Sequence, residues 1–271
     1  MIKILSGWSN PGGSTTAFIH LTNALNDAGY STEFYGPHLW HLGKCRGIQY
    51  NSGGKLEIHR EDILIVHFKN NFVQRPPIKG FYLSCHEQDV FPLKNIRYDI
   101  FDKIHYVSEH QRRFHGLNHP YFVIPNILDD LKPNKNLKEK IGGIIGSIDK
   151  NKQVHVSIQK ALVDGCKKVL LYGLKTDPWY WHSAVEPLVD GTKVIYMGYE
   201  ENKQKMYDSF TDLYFSSILE CAPYVPAEAK MTQKKLHTIQ GKDYLNIEYE
   251  FDKDKIVDQW IKELNLNETT N

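Results

Sequence analysis

Cysteine is scarce in this chain and never paired in spacing. Four residues in 271, Cys45, Cys85, Cys166 and Cys221, stand apart with no C-x-x-C among them. That spacing argues against a disulfide framework or a zinc knuckle and makes a reducing compartment the default. Charge bias is also lacking: 33 Lys and Arg against 32 Asp and Glu leave a formal net charge of +1. A broad electrostatic footprint for nucleic acid or anionic membrane is therefore missing, although a local basic groove is still compatible with it. No apolar run approaches the roughly 20 residues that cross a bilayer. The apolar start, Met1 to Leu5, passes at once into polar and glycine residues, too short for a signal-peptide core, so a cytoplasmic location is expected. Both common phosphate signatures, G-x-x-x-x-G-K-[ST] and a full G-x-G-x-x-G, are absent.

What is present reads as a globular α/β protein. Hydrophobic residues make up 41% and charged residues 24%, and the length suits two compact domains. Residues 2–5 form a first buried strand, followed by a loop of turn formers containing Gly12-Gly13-Ser14. A helix follows, with Phe18, Leu21, Thr22, Leu25 and Ala28 on one face. Ser14 is placed to cap its start and Gly29 to occupy the left-handed position past its end. The glycine loop either lets a ligand approach, with helix N-terminal amides attracting phosphate, or is only a tight strand-to-helix turn. Further strands are expected at 32–35, 63–68, 81–84, 103–107 and 121–124, several ending in polar residues such as His67, His86 and Glu109. Residues 129–140, with Pro133, two Asn and four Lys, read as a linker. The alternation then restarts, with strands near 143–146, 169–172, 194–197 and 212–216 and helices between them. Alternation on both sides of a polar linker implies two doubly wound α/β halves. A last helix is expected over 251–264.

The most informative stretch is Ser216-Ser217-Ile218-Leu219-Glu220, followed by Glu228 and Ala229. If the helix begins at Val225, Glu220 lies in a loop and Glu228 about one turn into the helix. Both could then face the carboxyl edge of a parallel sheet, where open α/β folds bind ligands.

Taken together, the motifs resemble the retaining glycosyltransferases of family 4. Those that carry the likeness are Gly12-Gly13-Ser14 with its helix, Val107-Ser108-Glu109, Val123 to Asn126, Gly146 to Lys152, and Tyr207 to Ser217 followed by Glu220 and Glu228 with seven residues between them. The resemblance implies the GT-B fold, two Rossmann-like domains facing each other across a cleft. The domains are expected at 1–130 (acceptor side) and 131–250 (nucleotide-sugar donor side), with a C-terminal helix and tail at 251–271. It implies transfer of a sugar, with retention of configuration, from a nucleotide-diphosphate sugar (UDP- or GDP-linked) to an acceptor, without a metal or other required cofactor. By the same likeness, Gly12 and Gly13 approach the donor phosphates and acceptor, and Lys152 carries positive charge to the diphosphate. Glu228 contacts the nucleotide ribose, Glu220 lies near the transferred sugar, and His86 hydrogen-bonds that sugar. The likeness departs at Ser147, where the family usually carries Arg, and at Gln153, where it carries Gly.

The acceptor is expected to be a glycan or lipid-linked group, bound near Trp8 and Trp40. The alternatives are a viral-type DNA base glycosyltransferase using a groove around Arg112, Arg113 and Lys94, a GT-B sugar-nucleotide epimerase, and a degenerate sugar-nucleotide-binding module. His105, His110, His115 and His119 match no metal-binding helix face and are expected as surface histidines. Trp179 and Trp181 are expected to pack a helix.

Overall fold

The computed structural model describes residues 1–7, 12–37, 45, 48–50, 56–67, 72–86, 97–134, 137–238 and 243–269. The chain divides into two compact units, residues 1–128 with 247–271, and residues 129–246.

Among the described residues the first unit holds seven strands: β1 Ile2–Leu5, β2 Thr32–Gly36, β3 Ile48–Tyr50, β4 Ile63–His67, β5 Gly80–Cys85, β6 Lys103–Tyr106 and β7 Tyr121–Val123. All pairs are parallel, in the order β3-β2-β1-β4-β5-β6-β7. Central strands of such a sheet are covered on both faces, so β4 and β5 are buried at every position and read as continuous apolar runs. The order reverses between β1 and β4, and a crevice opens at such a reversal, outside the carboxyl ends of the strands.

Helix α1, Gly13–Asp27, leaves that edge directly after β1 and buries Phe18, Leu21, Thr22 and Leu25. Gly29 follows at φ 89. The start of α1 departs from the sequence reading. Gly12 occupies the cap position, its carbonyl accepts from the Thr16 amide at 3.0 Å, and no side chain caps the helix. Ser14 is already inside the first turn, too far along the chain to cap it. Helix α2, Glu109–His115, is capped by the Ser108 hydroxyl, which accepts from the Gln111 amide.

The C-terminal helix, Lys253–Glu263, packs within this unit. Its buried Ile256, Val257 and Trp260 join one core with Ile2, Phe18, Leu25 and Phe122. Trp260 meets Phe122 edge-on at 5.4 Å.

The second unit holds β8 Ile141–Ile145, β9 Lys168–Tyr172, β10 Val194–Gly198, β11 Asp212–Phe215 and β12 Lys235–Thr238. These are parallel in the order β10-β9-β8-β11-β12, with the reversal between β8 and β11. Helices α3 Val154–Val163, α4 Lys203–Asp208 and α5 Tyr224–Met231 accompany them. The helix expected to carry Trp179 and Trp181 is instead three short segments, Pro178–Tyr180, Trp181–Val185 and Glu186–Leu188. Tyr180 and Trp181 are buried there, whereas Trp179 is exposed beneath Lys150, whose Nζ lies 4.8 Å from the ring centre. Residues 129–140 do more than link. Leu131 is buried among Met206, Tyr207, Phe210 and Leu213, so the segment is part of the second core.

Two glycines set strand spacing in this unit. A Cβ at Gly143 would overlap the Phe210 ring. One at Gly173, at φ 146, would overlap the Gly146 carbonyl oxygen. The carboxyl ends of β8 and β9 therefore meet backbone to backbone.

Candidate functional site

In the second unit the site is built where the strand order reverses. The loop after β8 is shaped by Asp149, which accepts from the Ser147 hydroxyl at 2.5 Å and from the Lys152 amide at 3.0 Å. Asn151 then ties this loop to the one after β11. Its carbonyl accepts from the Ile218 amide at 2.9 Å, its Oδ1 from the Leu219 amide at 3.0 Å, and its Nδ2 donates to the Leu219 carbonyl at 3.1 Å. The consequence is an ion pair across the reversal, with Lys152 Nζ donating to Glu220 Oε1. Neither loop has a regular ladder to fix it, so the Asn151 bonds are what bring lysine and carboxylate together.

Glu228 lies in the second turn of α5, buried, and has its own partners. Lys203 Nζ donates to Oε1 at 2.5 Å and the Tyr207 hydroxyl donates to Oε2 at 2.8 Å. Lys203 also meets Asp129 Oδ2 at 2.6 Å and stands 5.1 Å from the centre of the Tyr224 ring. Burial opposes the charge on Lys203, but Glu228 and Asp129 outweigh it and hold its pKa above the usual lysine value. Burial and then the Glu228 charge push the Tyr207 and Tyr224 phenols well above the ordinary range. Tyr207 therefore acts as a permanent donor to a carboxylate, and charge-assisted bonds of this kind are about twice as strong as neutral ones.

In the first unit Gly12 and Gly13 are exposed at the N-terminus of α1, on the edge where β1 gives way to β4. Amides at a helix start favour an anion there. His86 follows β5 and is partly buried, its ring edge-on to Phe18 at 4.6 Å. Its Nε2 is 3.1 Å from Ser84 Oγ, which is 2.8 Å from His105 Nδ1. Burial, followed by the neighbouring His67 and His105, holds the His86 pKa well below the usual histidine value. Burial lowers that of His105 to about 4, against the opposing effect of its bond to the Ile124 carbonyl.

Several expectations need correction or fall elsewhere. His105 and His115 are buried rather than on the surface, because β6 and the inner face of α2 carry them inward. His119 instead bonds the Phe101 carbonyl at 2.8 Å. Among the described residues no group of three or more His, Cys, Asp or Glu is arranged to hold a metal. Arg112 pairs with Glu109 at 2.7 Å and covers Tyr121. Trp8, Trp40 and Lys94 lie outside the described residues. No helix of the described residues is long and apolar enough to cross a membrane.

Several partner residues were not legible in the sequence. Lys203 pairs with Glu228, Asp129 with Lys203 and Ser84 with His86 and His105, whereas Asn151 bonds the backbone of Ile218 and Leu219. Only strand-end position hinted at Ser84, and nothing in spacing linked Lys203 to Glu228.

Two Rossmann-like units of parallel strands, each with its reversal of strand order, define the GT-B fold. Comparison with solved structures agrees over nearly the whole chain. The pneumococcal O-GlcNAc transferase GtfA, solved with UDP and GlcNAc, matches with a TM-score of 0.68 at 9% identity, covering 99% of this chain and 93% of that one. Anabaena Alr3699/HepE, solved with UDP and glucose, matches at 0.67 and 11% identity, covering 97% and 90%. A point mutant of TarM from S. aureus, solved with fondaparinux, alpha-GlcNAc-glycerol and UDP, matches at 0.66 and 13% identity, covering 98% and 93%. Identity this low makes the likeness one of fold. No family model matches the chain, and no curated protein does.

Proposed function

We propose that this chain is a glycosyltransferase that takes a UDP-linked sugar and transfers it, with retention of configuration, to a glycan or lipid-linked acceptor. The observation that carries the reading is the Lys152–Glu220 pair across the β8/β11 reversal, with Glu228 buried on the helix that follows the same loop. A leaving nucleoside diphosphate needs preorganised positive charge, usually a large catalytic contribution. Lys152 can supply it by exchanging Glu220 for phosphate, which in turn frees the Glu220 carboxylate to face the transferred sugar. Glu228, already oriented by Lys203 and Tyr207, retains lone pairs for two ribose hydroxyls. Gly12 and Gly13 let the first unit's backbone approach donor phosphate or acceptor, and His86 bonds a sugar hydroxyl. The UDP bound by HepE, TarM and GtfA supports a UDP-linked sugar as the donor.

The test is thermal stability against UDP, GDP, ADP and CDP and their sugars, followed by product analysis. A ligand at about a hundredfold over its dissociation constant adds ~2.7 kcal/mol of stability. The expected result is a shift with UDP compounds that Glu228→Ala abolishes, and a product whose anomeric configuration by NMR matches the donor. No shift with any nucleotide would remove the assignments of Lys152 and Glu228.

A second reading, a sugar-nucleotide-binding module without turnover, is favoured by one observation. Ser147 stands where family 4 usually carries Arg, and its hydroxyl is spent on Asp149. Tight UDP-sugar binding with no transfer or hydrolysis would select it.

A further inference from the structure

A row of alternating serine and histidine crosses the first sheet beside its carboxyl edge. Register pairs His67 with Ser84 and Ser84 with His105, and the Ser6 hydroxyl lies 3.0 Å from His67 Nδ1. Paired positions share a face, so these side chains stand side by side on β4, β5 and β6, with Ser6 just past β1. His86, two residues beyond Ser84, extends the row toward the strand ends. All four of Ser6, His67, Ser84 and His105 are buried. In an apolar parallel sheet such groups are costly unless they are hydrogen-bonded.

From His86 through Ser84 and His105 to the Ile124 carbonyl, the bonds have only one direction open to them. The Ile124 carbonyl can only accept, so His105 Nε2, at 2.9 Å, carries a proton and donates. A neutral His105 then presents a lone pair at Nδ1, and the Ser84 hydroxyl donates its single proton there. With that proton committed, Ser84 Oγ can only accept, so His86 Nε2 is the donor. A neutral imidazole with its proton on Nε2 has its lone pair on Nδ1.

We propose that Ser84 and His105 are positioning residues: through this one-way chain to the Ile124 carbonyl they fix His86 as the Nε2-protonated tautomer. The tautomer assignment stands on the row itself. Its role toward a sugar or acceptor hydroxyl rests on the transferase reading above. Burial of Ser84 and the edge-on Phe18 ring hold the geometry, and Trp260 covers His105 at 4.5 Å between ring centres.

The experiment is two-bond 15N–1H correlation on the full chain labelled at histidine, at neutral pH, for wild type, Ser84→Ala and Ser84→Thr. The expected spectra show His86 and His105 protonated at Nε2 with unprotonated Nδ1. Ser84→Ala should return His86 to exchange between tautomers, and Ser84→Thr, which keeps the hydroxyl, should restore the wild-type pattern. A His86 protonated at Nδ1 in the wild type, or a pattern unchanged in Ser84→Ala, overturns the proposal. If Ser84→Ala fails to fold, the wild-type spectrum and Ser84→Thr still decide the tautomer. On UDP-sugar turnover, Ser84→Ala should lower kcat about tenfold, the equivalent of one hydrogen bond, with KM for the donor unchanged. An unchanged kcat removes the positioning role even where the tautomer is as expected. Absence of any turnover in wild type with the expected tautomer intact removes the transferase reading and leaves the hydrogen-bond chain in place.

Discussion

Glu228 and His105 show how two buried titratable groups are made tolerable in opposite ways. Glu228 has both carboxylate oxygens engaged, one by Lys203 and the other by the Tyr207 hydroxyl. Removing one partner of a buried pair strands the other, at a typical cost of about 3–5 kcal/mol. Lys203 retains Asp129, so Glu228→Ala is expected to cost about 3 kcal/mol in urea denaturation, and Glu228→Gln less. His105 instead stays neutral, with a folded pKa of about 4 against 6.5 when unfolded. The unfolded chain therefore takes up a proton first as pH falls. The stability is complete above pH 6.5 and drains away between about 6.5 and 4, by about 3 kcal/mol for this one group. His86 acts in the same direction. Melting temperature should accordingly fall across that window, and His105→Phe should flatten the slope. A melting profile insensitive to pH there would contradict the burial of both rings.

At the scale of elements, the second sheet is held together as much by what is missing as by what packs. Gly173 at φ 146 has no room for a Cβ, because the Gly146 carbonyl occupies its place. Gly173→Ala should cost about 3 kcal/mol or more by denaturation, combining a strained backbone with a clash at two strand ends. It should also weaken any UDP-induced shift, since Gly146 opens the loop that carries Lys152. The linkage of that loop to the one after β11 through Asn151 makes a related claim. Asn151→Ala removes both side-chain bonds to Leu219 and leaves the backbone bond to Ile218. Nucleotide affinity is expected to fall about tenfold, the equivalent of one lost hydrogen bond, while the fold, read by circular dichroism, is kept.

For the whole molecule, the first unit is discontinuous in sequence. Residues 247–271 return to a core begun by residues 1–128, and Trp260 packs on Phe122 and His105. Deleting a buried Trp side chain typically costs about 3–5 kcal/mol, so Trp260→Ala should unfold the first unit at lower urea than the second. Residues 129–246 form a continuous unit with its own core. Expressed alone they should fold, whereas residues 1–128 alone should not. Two resolved transitions in Trp260→Ala, against coincident ones in wild type, would be the signature by fluorescence and circular dichroism.

Much of this architecture was legible in the linear chain. Continuous apolar runs at 63–66 and 169–172, the glycine loop ahead of α1, and Glu220 with Glu228 straddling a strand-to-helix step each report local rules of period and turn chemistry. Those rules settle which segments are strands and helices and where the candidate carboxylates lie along them. They fail at β12, whose edge position leaves Lys235 and Leu236 exposed, and at 178–188, where three helical geometries replace one. Tertiary structure alone decided the rest. Ser6, His67, Ser84 and His105 are scattered along the first unit's sequence and become one row only through parallel register. Asp129 joins Glu228 on the Lys203 ammonium only because the segment after residue 128 folds into the second core. The return of Trp260 to the first unit is of the same kind. Local propensity acts within a few residues, whereas burial and hydrogen-bond partnership are properties of what the folded chain brings together.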